Sequence, residues 1–158
     1  MRKEFGKVIT ELVAIDKRIH LLSLDIGYGI FDKLKKEHPE NYWNLGVTEQ
    51  ASIGLASGMA LEGLKPYIYT ITPFALERPF EQIKLDVMAQ NAPVKIAGFW
   101  DYPLDGLTHK TRDVKGLCKI LGIDFYEPKN SKELREMLFG TYNNNRPGFF
   151  NMLRNPEK

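Results

Sequence analysis

The strongest constraint on this chain is a regular alternation between short apolar runs and segments with helical character. Runs with the length and the β-branched or aromatic content of buried strands occur at residues 19–24, 67–71, 94–99, 123–126 and 149–153. Helices are predicted between them, at residues 3–15, 49–62, 80–87, 114–121 and 130–138. The alternation predicts an α/β fold, a three-layer α/β/α sandwich with a mainly parallel twisted sheet.

Ligands bind such folds beyond the carboxyl ends of the strands. Three segments are predicted to lie there, at residues 25–31, 70–78 and 100–112. A candidate functional site is therefore expected where these segments meet.

Composition narrows the class of protein further. A chain of 158 residues is expected to form one cored domain spanning residues 1–158. The 22 basic and 20 acidic side chains nearly balance, which gives no reason to expect nucleic acid or an anionic membrane as a partner. The single cysteine, Cys118, excludes an internal disulfide, and short apolar runs with no leader-like segment predict a soluble, cytoplasmic protein.

Common nucleotide-binding and hydrolase motifs are absent from the sequence. It has no GxxxxGK[ST], no GxGxxG after a strand and no nucleophile elbow. The three histidines are scattered and form no metal-binding motif, so no metal ligands are predicted within this chain.

Three polar segments remain as candidates for chemistry, at residues 44–50, 72–78 and 104–109. Each one has an ordinary structural explanation when it is taken alone. A carboxylate at a helix start, such as Glu49, complements the helix dipole. Phe74 can be a core residue, and His109 can belong to a solvated turn.

Taken together and in order, these segments resemble the pyrimidine-binding domain of transketolase-like enzymes that depend on thiamine diphosphate. The family pattern G-[IV]-x-E-Q matches residues 46–50, and A-x-x-G closes the following helix at residues 60–63. F-x-x-x-R-x-x-x-Q matches Phe74, Arg78 and Gln82, and G-x-T-H matches residues 106–109. The resemblance extends over essentially the whole chain.

The resemblance implies a catalytic role for Glu49. In the family this glutamate forms a hydrogen bond with a pyrimidine nitrogen of the cofactor. The bond promotes the imino tautomer of the cofactor's own amino group, which is the form that removes the thiazolium proton. A buried glutamate with a raised pKa can donate that bond, provided that burial outweighs the helix N-terminus. Phe74 matches the aromatic residue that stacks on the aminopyrimidine, and Ile71 and Arg78 are placed among the cofactor-binding residues.

The same resemblance implies substrate-binding positions. Asp105 and His109 match residues near the donor hydroxyls and carbonyl, and His109 is also assigned a catalytic role. Arg2 and Arg154 match arginines that hold a substrate phosphate, and Asp25 is the acid at a strand end in that region.

Two expected phosphate ligands differ in this chain. Gly29 stands in the place of a serine, and Trp100 stands in the place of a histidine. A weaker phosphate cradle leaves open a modified sugar or a 2-oxo acid as substrate.

The family binds the diphosphate and Mg²⁺ through a G-D-G motif with a downstream asparagine, and this sequence has no G-D-G. We therefore expect a partner subunit to carry those ligands, in a hetero-oligomer that could be a heterotetramer. The predicted activity is transfer of a two-carbon ketol unit between sugars or related carbonyl compounds. The alternatives are part of a 2-oxo-acid dehydrogenase or decarboxylase-type enzyme, and a non-catalytic binding or regulatory module that kept the fold.

Overall fold

A computed structural model describes residues 1–100, 107–111 and 113–153 of the chain. Its centre is one six-stranded sheet in which every observed strand pairing is parallel. The strands are β1 (Ile19–Ser23), β2 (Tyr42–Asn44), β3 (Lys65–Ile71), β4 (Lys95–Phe99), β5 (Asp124–Tyr126) and β6 (Gly148–Met152). Their spatial order is β2-β1-β3-β4-β6-β5. The predicted α/β class and parallel sheet are confirmed.

Helices follow most of the strands. They are α1 (Arg2–Ile15), α2 (Asp32–Glu37), α3 (Glu49–Leu61), α4 (Thr72–Leu76), α5 (Phe80–Gln82), α6 (Val114–Leu121) and α7 (Ser131–Thr141). Two of them begin as the sequence predicts, because Asp113 and Asn130 accept hydrogen bonds from backbone N–H groups of the first turn. Gly122 ends α6 in the left-handed conformation that favours glycine.

Both faces of the sheet are covered, which completes the three-layer sandwich. Alternate strand side chains point to opposite faces, so Tyr67 and Tyr69 of β3 pack with α1 and α7 while Ile68 packs with α3 and α6. Cys118 lies fully buried in the second of these two layers. No helix in the described part of the chain is long and apolar enough to span a membrane.

The structure differs from the sequence-based expectation in its short elements. The sequence did not predict β2, α2 or α4, since each has only three to six residues and no apolar stripe of its own. The helix predicted over residues 80–87 is interrupted, because the three residues of α5 continue into a π-helix at Ile83–Met88.

Helix α4 matters most for the site, because it begins where β3 ends and carries Phe74. It lies against β4 at Gly98, where a Cβ atom would come within 2.8 Å of the Thr72 hydroxyl oxygen. Gly98 thus permits the close approach that places α4 at the carboxyl edge of the sheet.

Candidate functional site

Glu49 is the first residue of α3 and the one buried carboxylate among the residues that the structure describes. The turn before it passes through Gly46 at a φ of 69°, and the Thr48 hydroxyl donates to the backbone oxygen of Leu45 at 2.9 Å. This local geometry turns the Glu49 side chain inward, and it retains only 8% of its exposure. A groove of about 420 Å³ opens beside it, lined by residues 47–51 and Arg78.

Arg78 joins Glu49 to Phe74. One guanidinium nitrogen of Arg78 donates to Oε1 of Glu49 at 2.8 Å, and the two side chains form an ion pair. The same guanidinium lies over the Phe74 ring, with its central carbon 3.5 Å from the ring centroid. A planar group with N–H donors is therefore held between a carboxylate and an aromatic face.

His109 reaches the same aromatic ring from another segment. Its ring meets Phe74 edge-on, with centroids 5.0 Å apart and an interplanar angle of 67°. The His109 Nδ1 atom lies 3.0 Å from the Thr108 hydroxyl, and the residue belongs to the 3₁₀ turn Leu107–His109. The structure therefore brings together four residues that the sequence placed in three separate segments: Glu49, Phe74, Arg78 and His109.

Ile71 is the last residue of β3, directly before the helix that carries Phe74. It is buried with Phe99, the last residue of β4, in the cluster of side chains against which Phe74 packs. Ile71 thus belongs to the apolar layer that supports Phe74.

Arg2 is held against the same edge of the sheet. Its Nε donates to the Tyr69 hydroxyl at 2.9 Å, and its guanidinium lies 3.9 Å from the centre of the Phe99 ring. Burial raises the pKa of Tyr69 to about 12 and outweighs the opposing effect of the Arg2 charge. The tyrosine therefore stays a neutral partner for Arg2.

The remaining residues predicted to bind substrate are Asp25, Asp105 and Arg154, and the structure describes one of them, Asp25. Asp25 follows β1 with a φ of 55°, and its backbone N–H donates to the Asn44 side chain at 3.0 Å. This strained turn leaves the Asp25 carboxylate exposed at the carboxyl edge. Asp105 and Arg154 lie outside the described residues.

Sequence reasoning missed Asn151, a buried amide in the carboxyl-terminal half of β6. Its Oδ1 accepts hydrogen bonds from Thr72 at 3.2 Å and Trp100 at 3.1 Å, and its Nδ2 donates to Glu127 at 2.7 Å. Asn151 therefore fixes the start of α4 and the first residue after β4. A lone amide in the apolar run of residues 149–153 was the signal that could have identified it.

Metal-ligating side chains are not clustered in the described ranges. No group of three or more histidine, cysteine, aspartate or glutamate side chains there could hold a metal ion. The site around Glu49 thus offers stacking and hydrogen bonding.

Comparison with known protein families identifies the family of this chain. The family model described as the pyrimidine-binding domain of transketolase matches residues 1–155. This chain belongs to that family. Its members are domains of transketolase-like enzymes that depend on thiamine diphosphate, so the family assignment predicted from the sequence is confirmed.

Known proteins similar to this transketolase-type domain are larger. A 1-deoxy-D-xylulose-5-phosphate synthase of Halothermothrix orenii is 34% identical over 149 residues, which are 90% of this chain and 23% of that protein. A solved structure of a split-gene transketolase, an inactive β4 tetramer, is 26% identical with a TM-score of 0.87. The match covers 97% of this chain and 51% of that one.

A transketolase from Campylobacter jejuni has the same fold at 17% identity, with a TM-score of 0.84 over 98% of this chain and 25% of its own. The chain thus spans about a quarter of the length of the curated relative and about half of the split-gene chain. The residue roles assigned from the resemblance stay predictions, and the structure adds their geometry.

Proposed function

We propose that this chain forms the aminopyrimidine-binding half of a thiamine diphosphate site in an enzyme that transfers a two-carbon ketol unit. The observation that carries the proposal is the arrangement of Glu49 and Phe74 around one planar guanidinium. The carboxylate and the aromatic face are already aligned to hold a flat, nitrogen-rich group.

The residues present fit the aminopyrimidine ring of the cofactor. Phe74 offers a half-buried ring face for stacking, and Glu49 offers a carboxyl group with little exposure to water. Arg78 satisfies both groups in this structure with the features that an aminopyrimidine also has, planarity and N–H donors. The cofactor ring would take over these two contacts from the arginine.

Thiamine diphosphate, when bound, supplies a thiazolium carbon that adds to a carbonyl group of the substrate. Glu49 would hold a proton on its carboxyl group and donate it as a hydrogen bond to a pyrimidine nitrogen. An ion pair with Arg78 requires that carboxyl group to be ionised, so the two partners of Glu49 are mutually exclusive. His109, whose ring lies at the edge of Phe74, would form hydrogen bonds to substrate oxygen atoms.

A second polypeptide that carries the diphosphate and Mg²⁺ ligands would complete the site. The name of the split-gene transketolase supports this part of the proposal, because that enzyme is divided between genes and its chain resembles this one over 97% of the length. We therefore propose a hetero-oligomer, with one diphosphate-binding domain for each copy of this chain.

A second candidate activity is transfer of an acetyl unit from a 2-oxo acid, whose carboxylate is released as CO₂ when the bond between its first two carbons breaks. The curated relative makes 1-deoxy-D-xylulose 5-phosphate, a ketose whose first carbon has no hydroxyl group. A donor for such a product supplies two carbons without the hydroxyl that a ketol unit carries. Gly29 and Trp100 stand in place of two residues that hold a substrate phosphate in the family, and this difference is compatible with a 2-oxo acid as donor.

Hydroxypyruvate and pyruvate, two donors that differ by one hydroxyl group, distinguish ketol transfer from acetyl transfer. The chain is co-expressed with a partner that carries G-D-G, and hydroxypyruvate and pyruvate are supplied with an aldehyde acceptor. Ketol transfer predicts turnover with hydroxypyruvate, whereas acetyl transfer predicts turnover with pyruvate. If the assembled pair binds the cofactor and uses neither donor, the two-carbon transfer proposal is wrong.

Cofactor titration tests the division of the site. By calorimetry, the chain alone should bind thiamine diphosphate weakly, because its sequence has no G-D-G motif, through which the family holds the diphosphate and Mg²⁺. Addition of the partner and Mg²⁺ should restore tight binding. Tight Mg²⁺-dependent binding to the chain alone would contradict the proposal, and failure of the pair to bind would favour the non-catalytic module.

A further inference from the structure

A second cavity lies at the end of the sheet opposite to Glu49. It encloses about 300 Å³ and is bordered by Lys65 and Lys95, the first residues of the parallel strands β3 and β4. The candidate site lies beyond the last residues of the same strands, Ile71 and Phe99. The two cavities are thus separated by the length of the sheet.

Three of the eleven residues that line this cavity are cationic: Arg18, Lys65 and Lys95. Lys65 and Arg18 share one carboxylate, that of Asp16, at 2.9 and 2.7 Å. Lys95 is nearly fully buried, and no carboxylate of the described residues lies within 4.0 Å of its ammonium nitrogen. Among the described residues, the Asp16 carboxylate is thus the one within ion-pair distance of any of these three cations, and it pairs with two of them.

Lys65 and Lys95 each have one N–H bond that forms no hydrogen bond with the described residues. Lys95 donates to the Asn144 side-chain oxygen and to the backbone oxygen of Arg146. Lys65 donates to Asp16 at 2.9 Å and to Asn143 at 2.6 Å. Since an ammonium group has three N–H bonds, each lysine has one that is not used by a hydrogen bond to the described residues.

Tyr67 adds a third donor to the same cavity. Its side chain is fully buried, and its hydroxyl has no hydrogen-bond partner among the described residues. The strand register pairs Tyr67 with Lys95, which places the two side chains on one face of the sheet. Burial raises the pKa of Tyr67, so the hydroxyl keeps its proton and can donate it. A buried hydroxyl without a hydrogen-bond partner lowers the stability of the folded chain, and a ligand oxygen that accepts its hydrogen bond would remove this cost.

The electrostatic environment of Lys95 favours an anion as that ligand. The pKa of Lys95 is lowered to about 8, chiefly by burial; the Asp124 charge opposes this shift, and the charges of Arg146 and Lys65 add smaller contributions to it. A negative charge in the cavity would offset both the burial and the repulsion between cations.

We propose that this cavity binds a small phosphate group, free or on a small phosphorylated polyol, through the spare N–H bonds of Lys65 and Lys95 and the hydroxyl of Tyr67. The volume is at the lower end of the range for ligand pockets, which suits such a molecule and is small for a nucleotide. Asp16 does not oppose the anion strongly, because two cations already neutralise it. The site is independent of the proposed cofactor site.

Thermal unfolding of the full chain tests this proposal. Inorganic phosphate should raise the unfolding temperature above that in chloride of equal ionic strength, because a ligand that binds only the folded state stabilises it. Calorimetry then gives the dissociation constant. Glycerol 3-phosphate in a parallel titration distinguishes the two sources: tighter binding of the ester identifies a phosphorylated metabolite, and tighter binding of phosphate identifies the free ion.

Variants assign the binding to this cavity. Tyr67→Phe removes one hydroxyl and should weaken phosphate binding about tenfold, and Lys95→Met should weaken it further. Lys119→Met, on the exposed face of α6, should bind phosphate as the wild type does. Equal stabilisation by phosphate and chloride, or unchanged binding by Tyr67→Phe, would overturn the proposal.

Discussion

Arg78 donates a hydrogen bond to Glu49 at 2.8 Å while its guanidinium stacks on Phe74. The arginine therefore engages, in the same conformation, both groups that the family resemblance assigns to the aminopyrimidine. Glu49 is buried, whereas the Arg78 side chain keeps 40% of its exposure. The arginine is thus the partner that can move away at little cost.

Replacement of Arg78 by methionine should strengthen cofactor binding. The variant loses the ion pair that competes with the aminopyrimidine, and we expect the dissociation constant of the assembled enzyme to fall about tenfold, the effect of one charged hydrogen bond. Calorimetry measures this constant, with Arg135→Met as a control because Arg135 forms ion pairs with Glu4 and Glu11 on another face. Weaker binding would instead indicate that Arg78 contacts the cofactor directly, as the sequence resemblance implies.

Glu49→Gln should preserve the fold and much of the cofactor affinity, because the amide is close in size to the carboxyl group. Turnover by the assembled enzyme should fall by a factor of about 100 or more, since loss of a proton-transfer role typically costs 100- to 10,000-fold. Exchange of the thiazolium proton, followed by NMR, should slow with it. Full exchange and full turnover would leave Glu49 as a helix-start carboxylate.

His109→Ala is the matched comparison for Glu49→Gln. His109 touches the edge of Phe74 and is assigned to the substrate, so its loss should reduce turnover while the cofactor proton exchanges at the wild-type rate. Parallel measurements of turnover and exchange on both variants separate cofactor activation from substrate binding. Slow exchange in His109→Ala would contradict this division of roles.

Asn151→Ala should destabilise the chain by about 2 to 4 kcal/mol, because Thr72, Trp100 and Glu127 each lose a hydrogen-bond partner. Asn130→Ala is the control, since it removes an exposed helix cap and should cost about 1 kcal/mol. Urea unfolding measures both values. Asn151→Ala alone should also weaken cofactor binding, because Asn151 positions the helix that carries Phe74. Equal losses of stability in the two variants would contradict this role.

The longer elements were predictable because each has its own local pattern. Helix α1 carries buried side chains such as Phe5, Ile9 and Leu12 at helical spacing, and β3 has six buried residues out of seven. The six-residue α2 buries only Leu34, and β2 is a three-residue edge strand with partly exposed side chains. Their formation depends on neighbouring elements, so the local sequence does not reveal them.

That Phe74 and His109 lie at the same edge of the sheet was predictable from the sequence, whereas the side-chain contacts around Glu49 were not. Phe74 and His109 follow two neighbouring parallel strands, and this topology places them at one edge of the sheet. The ion pair between Glu49 and Arg78 joins residues 29 positions apart, and its formation depends on where α4 ends. Periodicity does not encode such a contact.

The final prediction concerns Lys95, whose burial lowers its pKa from 10.5 to about 8. Between these two values the unfolded chain binds more protons at this group than the folded chain, so stability rises with pH across that window. Below pH 8 the buried charge imposes its full cost, which corresponds to roughly 3 kcal/mol. Lys95→Met removes the group, so the free energy of unfolding of the wild type should approach that of the variant as pH increases from 8 to 10.5.

Urea unfolding of both proteins in phosphate-free buffer measures this convergence. As the control, Lys119→Met should show the same pH dependence of its free energy of unfolding as the wild type. Parallel curves for Lys95→Met would show that Lys95 stays protonated in the folded chain. Convergence would establish that the folded chain carries an uncompensated buried cation, the condition that an anion in the adjoining cavity relieves.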